Sequence, residues 1–198
     1  MKIIIVGASG TLGKRITAYF EKDHEVVRVG SKSGDVQANI TDSASIEAMY
    51  KKVGPFDALI CAAGEGHFGP LDEMTGAHFR IGLESKLLGQ VNLVLIGQHY
   101  VRPKGSFTLT GGILADDPVP MGANLSAVNG GLEAFARAAA IELASGVRVN
   151  VISPGVVEDS PGYFPYFPGH TPVAMDRLVQ AYAKSVLGRR TGEVIKVY

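Results

Sequence analysis

The chain of 198 residues has one cysteine, no net charge and no long apolar run. Cys61, being alone, can form no intrachain disulfide, which fits a reducing, cytoplasmic setting. Lysine plus arginine (19) equals aspartate plus glutamate (19), so neither nucleic acid nor an anionic membrane surface is an expected partner. The most apolar later stretch, Leu87 to Gly97, is interrupted by Gln90 and Asn92 and is too short to span a bilayer. The N-terminal apolar run is shorter still and ends among glycines, unlike a signal peptide. The five histidines (24, 67, 78, 99 and 170) show no metal-ligand spacing, so no metal is expected. Together these features suggest a cytosolic, soluble protein of enzyme-like composition.

Glycine, by contrast, is plentiful, and its placement is informative. The β-branched run Ile3-Ile4-Ile5-Val6 reads as a buried parallel strand. Gly7, Gly10 and Gly13 follow at three-residue spacing, and Leu12, Ile16, Tyr19 and Phe20 then repeat at helical spacing. Strand, glycine loop and helix together make a dinucleotide cradle. Gly7 permits the tight turn, Gly10 lets the backbone approach a pyrophosphate, and Gly13 lets helix and strand pack closely. The free N–H groups at the helix start face the phosphates.

Strands and helices alternate to the end. Strands are predicted over 3–6, 25–29, 36–40, 57–61, 107–110, 147–152 and 194–197, with a turn at Pro103–Gly105 before the fifth. Helices are predicted from Leu12 onward and over 42–52 (capped by Thr41 or Asp42), 75–101, 124–144 and 172–187. This predicts one α/β domain over residues 1–198, a doubly wound, parallel, seven-stranded Rossmann sheet with helices on both faces. Residues 160–172, rich in Pro, Gly, Tyr and Phe, read as a surface loop, and their aromatics as either a substrate lid or packing over the sheet edge.

Several stretches together resemble the short-chain dehydrogenase/reductase family over nearly the whole chain. They are Val6-Gly7-Ala8-Ser9-Gly10-Thr11-Leu12-Gly13, Cys61-Ala62-Ala63-Gly64, Gly69-Pro70-Leu71, the run Val147-Arg148-Val149-Asn150-Val151-Ile152-Ser153-Pro154-Gly155-Val156-Val157, and Thr191-Gly192-Glu193-Val194-Ile195. The first two glycines are separated by two residues, as in atypical branches of the family, and not by the commoner three. The resemblance implies a nicotinamide cofactor and an oxidoreductase that moves hydride to or from a small carbonyl or alcohol. It implies cofactor contacts from Gly7, Ser9, Gly10, Thr11, Leu12 and Gly13, from Asn39 and Ile40 at the adenine, from Ala62, Ala63 and Gly64, and from Pro154, Gly155 and Val157.

The family's usual Ser-Tyr-Lys-Asn catalytic set is absent. Leu125 stands at the tyrosine position, Asn129 at the lysine position, Gly111 or Gly112 at the serine position, and Lys86 at the asparagine position. Leucine and glycine transfer no proton, so the usual mechanism cannot operate. Lysine and asparagine have exchanged places, which makes Lys86 and Asn129 the candidate catalytic pair. Lys86 would contact the nicotinamide ribose or a substrate anion; otherwise it is a solvated lysine on a long helix and Asn129 only packs. Thr110, Ser126, His67, Tyr163 and Tyr166 are further candidate proton donors. Hydride transfer needs cofactor and substrate held in line, so an oxidoreductase with a non-standard proton donor is one reading. A non-catalytic NADP-binding sensor or scaffold is the other.

The second strand runs into Gly30-Ser31-Lys32-Ser33-Gly34, with no acid before Asp35. A carboxylate there would bond the two ribose hydroxyls of NAD(H), whereas Ser31, Lys32 and Ser33 suit a 2′-phosphate. NADP(H) is therefore expected over NAD(H). In relatives the long helix and the alanine-rich helix pair across a two-fold axis, and the resemblance implies a homodimer more readily than a tetramer. Phe79, Leu83, Leu87, Val91, Val94 and Leu95, with Ala127, Gly130, Gly131, Ala134, Ala138 and Ala139, would form that contact; otherwise they all pack within the subunit.

Overall fold

A computed structural model describes all of residues 1–198. In chain order the elements are β1 (Lys2–Val6), α1 (Thr11–Phe20), β2 (Glu25–Gly30), β3 (Val36–Gln37), α2 (Ser43–Val53), β4 (Phe56–Cys61), α3 (Gly76–Ile81), α4 (Gln90–Gly97), β5 (Val101–Thr110), α5 (Ala123–Glu142), β6 (Arg148–Pro154), α6 (Met175–Leu187) and β7 (Val194–Val197). Short 3₁₀ turns occupy the loops after β4, β5 and β6. All strands are parallel, in the order β3-β2-β1-β4-β5-β6-β7.

The central strands are apolar throughout because both faces are covered. Along β1, Ile4 and Val6 face the core beneath α2, α4 and α5, while Ile3 and Ile5 face the core beneath α1 and α6. Along β4, Leu59 and Cys61 face the first core, and Ala58 and Ile60 the second. In β5 the second face turns polar. Thr108 Oγ1 lies 2.7 Å from Ser185 Oγ, and Thr110 Oγ1 lies 2.7 Å from the Tyr182 hydroxyl, both partners being on α6.

Three predicted elements differ in detail. The third strand is limited to Val36–Gln37; Ala38 N–H still bonds the Gly30 carbonyl, but Asn39 turns to Ser45 Oγ at 2.9 Å and so starts the approach to α2. The helix expected over 75–101 ends at Gly97, and between α3 and α4 lies a π-helical stretch, Gly82–Gly89. The fifth strand starts at Val101, and the expected Pro103–Gly105 turn is instead a bulge within it. Val101 pairs with Phe56 and Ser106 with Ala58, so the intervening residues loop outward with Lys104 at φ 64°. The cap of α2 is Asp42, whose carboxylate accepts the Ala44 N–H at 2.9 Å.

The order in which strands are added reverses between β1 and β4, β2 and β3 lying on one side and β4 to β7 on the other, and at such a point a parallel α/β sheet opens a crevice at the carboxyl ends of its strands.

Candidate active site

Two adjoining clefts, of about 580 and 560 Å³, occupy that crevice and share Gly64 and Glu65. The outer one lies over the glycine loop. Gly7 turns the chain at φ 84°, and a Cβ there would sit 2.8 Å from the Ala62 carbonyl oxygen. A Cβ on Gly13 would sit 2.0 Å from the Gly7 carbonyl oxygen, so only glycine lets α1 start this close to β1. Lys14 is the first residue of α1 whose N–H reaches a helical acceptor, Gly10 O at 3.0 Å, and Gly10 provides no side-chain cap. The N–H groups of Thr11, Leu12 and Gly13 are left for an anion. These residues fit a dinucleotide pyrophosphate.

Most of the sequence-selected cofactor residues are gathered here. Gly7, Ser9, Gly10, Ser31, Asn39, Ile40, Ala62, Ala63 and Gly64 line the outer cleft, and Leu12, Pro154, Gly155 and Val157 line the inner one. Thr11 and Gly13 line neither cleft, Thr11 being exposed at the start of α1 and Gly13 buried against the Gly7 turn. Lys32 and Ser33 are on the exposed turn beside the cleft and not on its wall. The acid beyond them, Asp35, is turned away. Its carboxylate accepts the Arg28 backbone N–H at 2.9 Å and lies 3.7 Å from the Arg28 guanidinium.

The inner cleft brings together the residues that the sequence resemblance assigns to the catalytic positions: Lys86, Gly111, Gly112, Leu125 and Asn129. Lys86 belongs to the π-helical stretch, crossed by the chain at Gly64, where a Cβ would come within 2.9 Å of Lys86 Cα. It is the only cation on this wall, and its ammonium has no carboxylate or hydrogen-bond partner. Burial holds its pKa below that of an ordinary lysine, with the Cys61 thiol nearby as the opposing influence. Burial also pushes that thiol up to about 11, so it is neutral near neutral pH and supplies no countercharge. Asn129 is buried, and its amide donates to the Gly112 carbonyl at 3.3 Å.

The other expected proton donors fare differently. Thr110 lines the cleft, but its hydroxyl donates to the Cys61 carbonyl at 2.6 Å and contacts Tyr182. Ser126 is beside the cleft with a buried hydroxyl, off its wall. His67 stacks on His78 with ring centroids 4.4 Å apart. Tyr163 lines the cleft, whereas Tyr166 packs edge-on against Phe68 at 5.0 Å. That contact, with His170 Nε2 at 3.6 Å from the Asp117 carboxylate, ties residues 160–170 to the loops after β4 and β5 as a roof over the inner cleft.

Two contributors escape a reading of the sequence. Glu65 borders both clefts, and its place directly after Ala62-Ala63-Gly64 is the signal that could have singled it out. Asn124, fully buried, accepts the His67 N–H and donates to the Phe79 carbonyl, each at 2.8 Å, pinning the loop after β4 to α3.

The family model for enoyl-(acyl carrier protein) reductases matches residues 2–166. The chain belongs to the short-chain dehydrogenase/reductase family. The short-chain dehydrogenase/reductase ATR9 of Stachybotrys chlorohalonatus is 28% identical over 232 aligned positions, covering 99% of this chain and 88% of that protein. The Listeria innocua protein lin1944 superposes with a TM-score of 0.98 at 46% identity, over 100% of both chains. A small-chain dehydrogenase solved with NADPH superposes with a TM-score of 0.89 at 26% identity, over 100% of this chain and 96% of that one. No helix of this short-chain dehydrogenase/reductase is long and apolar enough to cross a membrane.

Proposed function

We propose that this protein is an NADP(H)-dependent oxidoreductase acting on a small carbonyl or alcohol, with Lys86 as the proton donor to the substrate oxygen. The observation that carries this reading is an unpartnered, half-buried ammonium on the wall of the inner cleft. When bound, the nicotinamide supplies or accepts the hydride. The chain supplies position and a proton. The N–H groups of Thr11, Leu12 and Gly13 hold the pyrophosphate, with Ser9 and Gly10 beside them. Asn39 and Ile40 flank the adenine, Ala62 to Gly64 the ribose path, and Pro154, Gly155 and Val157 the nicotinamide. Ser31, Lys32 and Ser33 receive the 2′-phosphate, a choice supported by the engagement of Asp35 with Arg28 and by the NADPH-bound relative. Asn129 borders the substrate opposite Lys86. A lowered lysine pKa makes the ammonium a stronger acid, nearer the value that proton transfer at neutral pH requires.

Fluorescence titration with NADPH and NADH tests the cofactor assignment. NADPH is expected to bind at least about tenfold more tightly, as a charge-assisted contact worth roughly 1.5–3 kcal/mol requires, and Lys32→Ala to remove most of that preference. Equal affinities in the wild type would overturn the NADP(H) assignment. Absence of binding to either cofactor would overturn the oxidoreductase reading.

The same reading places the chain in the cytoplasm as a homodimer. Leu88 and Leu95 of the long helix and Ile141 of α5 are exposed, and Ala127, Ala134 and Ala138 keep the outer face of α5 flat.

A further inference from the structure

Five buried side-chain polar atoms in the fold lack a hydrogen-bond partner, and three of them are on one helix: Ser126 Oγ, Asn129 Oδ1 and Glu133 Oε1 of α5. Spacings of three and four residues put them in a row along one face. Ser126 forms one end of the row, and Asn129, in its middle, lines the cleft. Its N–H donates to Gly112 O, and its carbonyl oxygen is left over. Glu133 forms the other end, with its side chain only 6% exposed. One of its oxygens is orphaned inward, and the other lies 3.3 Å from the Arg137 guanidinium, which is 58% exposed. Glu133 thus has one buried, unpartnered oxygen and one that faces an exposed guanidinium.

A dry row of this kind would leave each of these atoms without the hydrogen bond it makes to water in the unfolded chain. A buried water needs two to four polar partners, and this row supplies them in series. We propose that this face of α5 binds a line of water running from the cleft to Glu133, and that Glu133 is the proton store that recharges the site. Its role in turnover rests on the oxidoreductase reading above. In each reduction the Lys86 ammonium gives one proton to the substrate oxygen and becomes an amine. The Glu133 carboxyl releases one proton through the water line to that amine, and the carboxylate left behind faces Arg137. Bulk solvent then returns a proton to Glu133, and the cycle balances.

The charges around Glu133 suit a store. Burial, and next Asp116 in the loop after β5, raise its pKa above the ordinary glutamate value, while Arg137 on its own helix and Lys196 on β7 oppose them. Tyr198, the remaining titratable neighbour, is pushed up to about 12 by burial and by its hydrogen bond to Asp116, so it stays neutral.

Carbon-13 NMR of protein labelled at glutamate side chains reads the store directly, with Glu133→Gln assigning the signal. Asn129→Leu replaces the acceptor by an apolar group of similar size and should raise the Glu133 midpoint by about half a pH unit or more, because water leaves the row. Asn129→Val removes the same acceptor, should shift it in the same direction, and carries the test if Asn129→Leu does not fold. Unchanged midpoints overturn the proposal, as does a high-resolution crystal structure showing no water bonded to Asn129 Oδ1 and Glu133 Oε1. These readouts use neither cofactor nor substrate, so failure of NADPH binding is seen separately and tells against the oxidoreductase reading alone. With a reducible carbonyl in hand, Glu133→Gln should slow NADPH oxidation and imidazole should restore it. A slowed variant that imidazole leaves unchanged, or a rate equal to wild type, overturns the storage role.

Discussion

Lys86 owes its chemistry to what surrounds it. A solvated lysine is a weak acid at neutral pH, and a lysine beside a carboxylate is weaker still. Lys86 has neither full solvation nor a carboxylate, and its one close titratable neighbour, Cys61, is neutral. Lys86→Met keeps the length of the side chain and removes the proton, so carbonyl reduction should fall by ~10²–10⁴ while NADPH affinity changes little. In the proposed reaction the acid form is the active one, so the wild-type rate should decline on the alkaline side as pH rises through the Lys86 pKa. That limb should vanish in Lys86→Met, and a variant retaining both rate and limb would remove the lysine from the chemistry. Asp57 shows the opposite balance. Burial would raise its pKa, but the Lys2 backbone N–H at 2.6 Å and the Arg102 guanidinium at 3.1 Å outweigh burial and lower it. A lowered carboxylate stabilises the fold above its unfolded pKa of about 3.9 and loses that contribution as pH falls through the folded value. Asp57→Asn should therefore lose about 1–2 kcal/mol in a denaturant melt at pH 7. The gap from wild type should close only below about pH 4; a gap constant down to pH 2 would contradict the ionic origin.

Among the elements, the π-helical stretch, Gly82–Gly89, does most to shape the inner cleft. It carries Lys86, it is overlain by Gly64, and its start is held by Asn124, since a Cβ on Gly82 would fall 2.2 Å from Asn124 Oδ1. Asn124→Leu would leave the part-buried N–H of His67 without a partner and the Phe79 carbonyl with only the Gly82 N–H. The expected loss is about 1–3 kcal/mol, together with faster hydrogen exchange across residues 64–75; unchanged exchange there would show that the loop is held by other contacts. The difference between legible and illegible parts of this chain lies at the same scale. The glycine loop could be read because turn, close approach and helix start each demand a particular residue at a particular spacing. The parallel sheet could be read because its strands are apolar on both faces. The π stretch could not, because a run carrying Leu83, Leu87, Val91 and Val94 has apolar residues at α-helical spacing too, and the choice of i→i+5 bonding depends on how Gly64 packs across it. The bulge in β5 was hidden for a related reason: Pro103 and Gly105 signal a turn, but only pairing with β4 shows that the strand resumes beneath it. Asn124 at a helix start reads as an exposed cap, and its burial is a property of the loop folded over it.

On the scale of the molecule, the exposed Leu88, Leu95 and Ile141 are the surface cost of two helices that cover the sheet and still present apolar side chains outward. Paired across a two-fold axis these side chains would be buried, each contributing about 1.5–3 kcal/mol if fully covered. Light scattering at micromolar concentration should give twice 20.9 kDa. Leu95→Glu should return the protein to 20.9 kDa without lowering its melting temperature when diluted; a wild type that stays at the monomer mass on concentration would refute the dimer. The strand order has a consequence of a different kind. Reading β3-β2-β1-β4-β5-β6-β7 against synthesis, every strand after β1 adds to an edge that already exists. No strand waits for a partner still to be made, so the sheet can grow on the ribosome in the order of translation, each new strand docking on an edge already in place.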